Sequence, residues 1–189
     1  MTASITSWKL RQAVRHVRQG GIIAYPTEAV YGLGCDPYNL FAVYSLLELK
    51  QRPMAKGLIL IASALEQLLP FITLPPEPIL ERILATWPGP ITWLLPISPH
   101  VPPWLCGEHN TIAVRVTAHP TASALCKAFA GALVSTSANP AGSRPARTAL
   151  HVRRYFRQVK EIHILPGHLG KLNRPTPIYD ALNGRCLRR

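Results

Sequence analysis

Lys50-Gln51-Arg52-Pro53-Met54-Ala55-Lys56 runs directly into the apolar stretch Leu58-Ile59-Leu60-Ile61-Ala62. The apolar stretch is short, continuous and rich in β-branched residues, which is typical of a buried strand. Pro53 disfavours helical backbone at Arg52 and removes an amide donor, so we predict that the three cations lie on a loop between a helix and this strand. Such a loop suits a polyanion, because Arg offers a planar fork to phosphate or carboxylate and Lys adds a point charge. The simpler alternative is a solvated basic turn.

The composition is that of a globular protein with acidic partners. The 189 residues are 48% hydrophobic and 16% charged, which fits one domain or two small ones. Lys and Arg outnumber Asp and Glu by 21 to 9, and this balance favours a nucleotide or nucleic-acid partner. Residues 144–189 hold eleven of these cations and only two acids. Because no apolar run approaches a membrane span and the N-terminus lacks a signal-peptide pattern, we expect a cytoplasmic protein without membrane contact.

The four cysteines are scattered, with no Cys-x-x-Cys pair and no His at metal-ligand spacing. We therefore predict reduced structural thiols and no metal site built from protein side chains. A hydrolase nucleophile is disfavoured because the chain has no Gly-x-Ser-x-Gly elbow.

Helical and strand patterns alternate along the chain, which predicts an α/β domain. Asn39, Thr148 and, for a short helix after strand 58–62, Ser63 are predicted helix N-caps. Segment 96–110 is predicted as an extended loop, and 176–180 as an edge strand because it contains Pro177. Short strands and 19 prolines favour a mixed, strongly twisted sheet over a regular doubly wound one. The predicted helices are 7–19, 39–49, 75–84, 120–130 and 148–157; the predicted strands are 22–25, 58–62, 91–95, 111–116, 132–134, 162–165 and 176–180.

Two further stretches carry candidate binding groups. Arg115 lies among aliphatic residues of the predicted strand 111–116, where a charge needs a partner, either a structural acid or a bound anion. With only nine acids in the chain, the anion is favoured. If strand 132–134 continues, Ser135, Ser137 and Asn139 point to one side and form a polar ladder at its end. The alternative is a Ser/Asn-rich turn.

In these residues the chain resembles the YrdC-like threonylcarbamoyl-AMP synthase family, in its short bacterial form. The resemblance covers essentially the whole chain and implies one domain, 1–189, with a twisted mixed sheet flanked by helices around a positively charged cavity. Ala29, Gly57 and Pro177 depart from the pattern of many relatives. The motifs that carry the resemblance are Tyr25-Pro26-Thr27-Glu28, Tyr31-Gly32-Leu33-Gly34, Lys50-x-Arg52-Pro53 with Lys56, Trp87-Pro88-Gly89-Pro90-x-Thr92, Thr111-x-Ala113-Val114-Arg115, Ser135-x-Ser137-x-Asn139 and Arg174-Pro175-Thr176 with Asp180.

The resemblance implies a nucleotidyltransferase that converts L-threonine, bicarbonate or CO2, and ATP into threonylcarbamoyl-AMP and diphosphate. A separate transferase complex would then place the threonylcarbamoyl group on an adenosine beside the tRNA anticodon. Mg²⁺ is expected with ATP, held mainly by phosphates. The implied catalytic residues are Lys50, Arg52, Ser137 and Asn139. The implied ATP-binding residues are Lys50, Arg52, Lys56, Thr111, Ser137, Asn139 and Arg188, and the implied threonine-binding residues are Thr27, Arg115, Ser135 and Thr176.

Two other classes of protein compete with this interpretation. A non-catalytic, double-stranded RNA-binding protein would explain the basic region 144–189, although its cations are not interleaved with aromatic residues as in a stacking platform. We therefore keep weak RNA contact as a second property. A simple ATP hydrolase is disfavoured because Gly-x-x-x-x-Gly-Lys-Ser/Thr is missing from the sequence.

Overall fold

Helices and strands alternate in the computed structural model, which describes residues 6–159 and 162–188. The helices are α1 (Ser7–Arg18), α2 (Leu40–Lys50), α3 (Glu77–Leu84), α4 (Pro103–Cys106), α5 (Pro120–Phe129) and α6 (Ala149–Tyr155). The strands are β1 (Ile22–Pro26), β2 (Tyr31–Gly34), β3 (Ile59–Ala62), β4 (Thr92–Pro96), β5 (Thr111–Val116), β6 (Leu133–Ser137), β7 (Ile162–Ile164), β8 (Ile178–Asp180) and β9 (Cys186–Arg188). Lys160, Glu161 and Arg189, which entered the charge count for 144–189, lie outside the described residues.

The described strands form one mixed sheet in the order β7-β1-β2-β6-β3-β5-β4-β8-β9. The β1–β7, β3–β5 and β4–β8 pairs are parallel, and the β1–β2, β2–β6, β3–β6, β4–β5 and β8–β9 pairs are antiparallel. The prediction of a mixed sheet in an α/β fold is therefore confirmed.

Local capping explains where two of the helices begin. The Asn39 side chain accepts a hydrogen bond from the Ala42 amide at 3.0 Å and so satisfies one free donor of α2. Thr148 does the same for α6 through the His151 amide at 3.1 Å. Both N-caps are predicted from sequence. The predicted Ser63 cap is wrong, because the 3-10 turn Leu65–Gln67 follows Ala64 and has no side-chain cap.

Three predicted boundaries are wrong. Lys50 does not lie on a loop but is the last residue of α2, and the helix ends at Gln51 in left-handed backbone. The predicted loop 96–110 contains α4, which begins at Pro103 with Pro102 as its N-cap, since proline is tolerated at the first helical position. Segment 176–180 is not an edge strand, because β9 returns antiparallel and covers β8. Pro177 is tolerated because it precedes β8, where no backbone N–H is needed for a hydrogen bond to a neighbouring strand.

Apolar clusters cover both faces of the central strands. One face packs against α1 and α5 through the apolar cluster that includes Val14, Tyr25, Ile61 and Leu125. The opposite face carries the larger cluster, which takes in Leu46 of α2. No helix among the described residues is both long and apolar enough to cross a lipid bilayer.

Close packing between β2 and β6 predicts that Gly34→Ala destabilises the fold. A Cβ at Gly34 would lie 2.4 Å from the Val134 carbonyl oxygen and 3.0 Å from Tyr25 Cε1, and both groups are buried. We expect thermal or urea unfolding to show a loss of about 1–3 kcal/mol, as for other overpacked cores. Gly131→Ala is the matched control, since its Cβ would meet only Phe129 ring atoms at 3.5 Å. Equal stability of the two variants would contradict this packing.

Candidate functional site

A cavity of about 350 Å³ opens on the sheet beside α1 and α5. Along β3 and β6, the side chains on this face change from core residues to cavity-lining residues. Ile61 and Leu133 pack in the α1/α5 cluster, whereas Ile59 and Ser135, two residues farther along, line the cavity. Because alternate residues of a strand share a face, one face of the sheet serves as core at one end and as cavity floor at the other.

Six neighbouring strands, from β2 through β8, supply the floor of the cavity. Their register sets the residues side by side, with Ile59 paired to both Ser135 and Ala113. Gly32 keeps the floor open, since a Cβ there would lie 3.3 Å from Thr27 Cγ2 and 3.4 Å from Tyr25 Cζ. The floor residues are Gly32, Ser135, Thr136, Ser137, Ile59, Thr111, Ala113, Arg115, Leu94 and Ile178.

The cavity is lined by four cationic side chains and, among the described residues, by no acidic one. The cations are Arg52, Lys56, Arg115 and Arg188. They come from three separate parts of the chain, since Arg52 and Lys56 share one loop. The hydroxyl-bearing residues Thr27, Thr111, Ser135, Thr136, Ser137 and Thr176 line the same cavity. The arrangement therefore presents many hydrogen-bond donors and positive charge to a ligand.

Arg115 belongs to a buried polar network at one side of the cavity. Its Nη1 donates to Thr92 Oγ1 at 3.1 Å and to Thr176 Oγ1 at 2.9 Å. Its Nη2 lies 3.4 Å from Glu28 Oε2, and Thr117 Oγ1 donates to Glu28 Oε1 at 2.5 Å. The structure thus supplies the structural acid that the sequence interpretation had ranked below a bound anion. Arg115 Nε nevertheless has no hydrogen-bond partner among the described residues.

Arg188 lies close enough to Arg115 and to Arg52 for its charge to interact with theirs. Burial, followed by the positive charges of Arg115 and Arg52, lowers the pKa of Arg188 from its ordinary value. Arg188 donates through Nε and Nη2 to the Thr176 carbonyl oxygen, at 3.1 and 2.7 Å. Arg52 donates to the Gly57 carbonyl oxygen at 2.9 Å, and its buried Nε is without a partner among the described residues. Crowded guanidinium groups with spare donors favour an anionic ligand.

Lys50 and Asn139 lie behind the cavity wall and do not line it. The Lys50 ammonium donates to the carbonyl oxygens of Ser137 and Asn139, the latter at 2.8 Å. The Asn139 amide donates to the carbonyl oxygens of Pro140 and Ser143, both at 2.9 Å. In this arrangement Lys50 fixes the backbone at the end of β6 and Asn139 fixes the turn that follows it. Direct ligand contact by either side chain stays a prediction.

Backbone contacts fix the loop that carries Arg52 and Lys56. The Leu58 amide donates to the Leu105 carbonyl oxygen at 2.8 Å. Gly107 has φ +62°, and a Cβ there would lie 2.5 Å from the Ala55 carbonyl oxygen. This close approach requires glycine, and it places the end of α4 against the 3-10 turn Met54–Lys56.

Nine of the eleven predicted site residues line the cavity, all but Lys50 and Asn139. Sequence reasoning missed Cys106 and His109 in the wall because α4 was predicted as loop. It missed Ile59 and Leu94 in the floor because both lie in runs that read as uniformly buried. Thr111 and Arg115 were implied by the family motif, and both line the cavity together with Ala113.

Comparison with known proteins agrees with this architecture. Residues 15–189 match the Sua5/YciO/YrdC family model, described as telomere recombination. The chain belongs to this family. The bounds of a single domain over 1–189 stay a prediction, since the match begins at residue 15.

Two relatives that match this chain over nearly their whole length are both named threonylcarbamoyl-AMP synthase. A threonylcarbamoyl-AMP synthase of Halorhodospira halophila is 56% identical over 182 residues, which cover 96% of this chain and 95% of the relative. A threonylcarbamoyl-AMP synthase of Methylococcus capsulatus is 54% identical, covering 97% of this chain and 98% of the relative.

A solved structure of the family extends the likeness to the fold. The crystal structure of P. abyssi Sua5 complexed with L-threonine superposes with a TM-score of 0.86 at 34% identity. The match covers 93% of this chain and 51% of the Sua5 chain, so this chain spans about half the length of that protein.

Proposed function

We propose that this chain is a threonylcarbamoyl-AMP synthase that joins L-threonine, bicarbonate-derived CO2 and the AMP moiety of ATP. The observation that carries the proposal is the convergence of Arg52, Lys56, Arg115 and Arg188 on one cavity without an acidic lining residue among those described. The relatives at 56% and 54% identity are named as this enzyme, and the matches cover 95% and 98% of their length. The cavity volume of about 350 Å³ lies within the range of small-molecule sites.

The chemistry requires alignment and charge neutralisation and needs no protein nucleophile. The free amine of threonine forms a C–N bond with CO2 and loses a proton, which gives a carbamate. A carbamate oxygen then attacks the α-phosphorus of ATP, and the bond to the bridging oxygen breaks with departure of diphosphate. The threonine carboxylate, the carbamate and the triphosphate are all anionic and lie close together in this step. Fixed cations and hydrogen-bond donors therefore stabilise the transition state.

The nucleotide is assigned to the side of the cavity that contains the 52–57 loop. Arg52 and Lys56 face the triphosphate, and Thr111 and Ser137 add hydroxyl groups from β5 and β6. Arg188 supplies a third cation from β9. Lys50 acts by holding the Ser137 and Asn139 carbonyl groups and adds its charge to the electrostatic field of this site. Asn139 acts by holding the turn that follows, through the Pro140 and Ser143 carbonyl groups.

We predict that nucleotide binding depends on pH through the charge of Lys50. Burial, with a smaller contribution from the charge of Arg52, lowers its pKa to about 8. The ammonium is protonated below this pH and loses its charge as pH rises through it, so affinity for an anionic nucleotide should fall. Across about pH 7.5 to about pH 9.5 we expect a non-hydrolysable ATP analogue to bind about 3- to 10-fold more weakly, measured by calorimetry. Lys50→Met should flatten this transition; an unchanged transition in that variant would assign it to another group.

Threonine is assigned to the side of the cavity around Arg115. The free donors of Arg115 suit the carboxylate, since Arg and carboxylate form bidentate pairs. Thr27, Ser135 and Thr176 surround this position with hydroxyl groups, and all three are buried. A threonine held here lies in the same cavity as the proposed triphosphate site.

The remaining assignments concern partners and setting. Mg²⁺ bound to ATP would take phosphate and water oxygens as ligands, since Glu28 is engaged by Arg115 and Thr117. The product would supply a separate transferase complex that modifies the adenosine beside the tRNA anticodon. We assign the protein to the cytoplasm, where ATP and tRNA are found and thiols stay reduced, in keeping with four free cysteines. Weak RNA contact is a second property, which should fade steeply as salt rises.

Diphosphate release from ATP tests the proposed function. Purified protein should release diphosphate only when L-threonine and bicarbonate are both present with Mg²⁺. Release that requires neither would indicate a simple ATP hydrolase or diphosphohydrolase and would overturn the proposal. Double-stranded RNA binding without any threonine-dependent release would favour the non-catalytic alternative.

A further inference from the structure

We infer that Glu28 is a positioning residue for threonine, acting through Arg115 and not by contact with the substrate. The inference rests on the proposed function, which assigns the threonine carboxylate to Arg115. Glu28 does not line the cavity, whereas its neighbours Thr27 and Ala29 do. Its carboxylate therefore lies behind the first layer of the wall, next to the guanidinium.

The backbone around Glu28 is held by a second segment of the chain. The Gly170 amide donates to the Thr27 carbonyl oxygen at 2.9 Å, and the Leu172 amide donates to the Glu28 carbonyl oxygen at 3.1 Å. A Cβ at Gly170 would lie 2.6 Å from that Glu28 carbonyl oxygen, so the two segments approach as closely as backbone allows. Within the Thr27 turn, the Thr27 hydroxyl donates to the Val30 carbonyl oxygen at 2.7 Å. Glu28 is thus fixed independently of any ligand.

Hydrogen bonds within the protein use only some of the donors of Arg115. A guanidinium has five N–H groups. The two on Nη1 are used by Thr92 and Thr176, and Nη2 faces Glu28 Oε2 at 3.4 Å. Nε is buried without a hydrogen-bond partner among the described residues, and Nη2 makes only an ion pair with Glu28. The adjacent Nε–H and Nη2–H are the kind of pair that a carboxylate accepts in bidentate fashion. Glu28 and the two threonines together fix the orientation of this free pair.

Because both side chains are buried, the orientation of Arg115 depends on the charge of Glu28. Arg115 is 4% exposed and Glu28 is 7% exposed, so water compensates neither ion. A buried cation without its counter-ion seeks other partners, and the guanidinium would then turn away from the orientation set by Thr92 and Thr176. Because Glu28 touches no nucleotide-side residue in the network, its loss should affect threonine and leave ATP binding nearly unchanged.

The test compares Glu28→Gln and Glu28→Asp with the wild type in the full-length chain. Gln keeps the size of the side chain and removes its charge, whereas Asp keeps the charge and withdraws it from Arg115. Glu48→Gln, on the exposed face of α2, is the matched control for loss of one acid. Binding of L-threonine and of a non-hydrolysable ATP analogue is measured separately by calorimetry, and diphosphate release gives KM for each substrate.

We expect both Glu28 variants to bind threonine about 10- to 100-fold more weakly, the range of a charged hydrogen bond, while ATP-analogue affinity changes less than about twofold. In an Arg115→Ala background, Glu28→Gln should not weaken threonine binding further, because it acts through Arg115. Unchanged threonine affinity in a folded variant, or equal losses for both ligands, would overturn the inference. If Glu28→Gln does not fold, Glu28→Asp decides by the same criterion. Wild-type protein that binds no threonine would instead refute the proposed function.

Discussion

Arg52→Ala should reduce kcat/KM for ATP by about 100- to 1,000-fold, the usual cost of removing one donor directed at developing charge. Arg52 lines the cavity, and its Nε is buried without a partner among the described residues. Loss of the guanidinium removes charge from the position assigned to the triphosphate and also frees the Gly57 carbonyl oxygen that it binds at 2.9 Å. Steady-state diphosphate release at saturating threonine and bicarbonate measures the effect.

Two variants make the Arg52 result specific. Arg153→Ala removes the same side chain from the exposed face of α6 and should leave kcat/KM within about twofold. Arg52→Lys keeps the charge and loses the planar fork, so its activity should fall between those of the wild type and Arg52→Ala. Similar activities of Arg52→Ala and Arg153→Ala would remove Arg52 from the nucleotide site.

Arg115→Ala should cause a double loss, of stability and of threonine binding. The variant leaves Glu28 buried without its counter-ion, and breaking a buried pair in this way costs about 3–5 kcal/mol. Chemical unfolding measures this cost. Threonine affinity, measured on the folded fraction below the unfolding transition, should fall about 10- to 100-fold or more.

The double variant Arg115→Ala/Glu28→Gln separates the two effects of Arg115. Removal of the Glu28 charge should restore part of the lost stability, since the penalty comes from an uncompensated ion. Threonine binding should not recover, because the carboxylate still lacks its fork. Recovery of both together would mean that Arg115 acts only through the fold.

Much of the fold followed from the sequence because its signals are local. Asn39 and Thr148 have the side chains that cap helices, and the run Leu58–Ala62 has the length and branching of a buried strand. The errors arose where long-range packing decides. The burial of Lys50 depends on the carbonyl oxygens of Ser137 and Asn139, which lie 87 and 89 residues away in the chain. The covering of β8 depends on β9, three residues whose pattern alone predicts nothing.

The residues of the candidate site divide in the same way, into those that local signals predict and those that long-range packing decides. The family motif Thr111-x-Ala113-Val114-Arg115 implied that Thr111 and Arg115 are site residues, and both line the cavity. The pairing of Arg115 with Glu28 could not be predicted from spacing, since β1 and β5 are not neighbours in the sheet. The Thr27 turn beyond β1 brings the acid across that distance. Sequence alone likewise could not separate the residues that line the cavity from those, such as Lys50, that support its wall.

The most direct test of the central claim is the mass of the nucleotide product formed with ¹³C-bicarbonate. Threonylcarbamoyl-AMP contains one carbon from bicarbonate, so an adduct of threonine and AMP should appear one mass unit heavier with labelled than with unlabelled bicarbonate. Its formation should parallel diphosphate release and should fail in Arg52→Ala. An adduct that carries no label, as threonyl-AMP would be, or AMP without any adduct, would contradict the account.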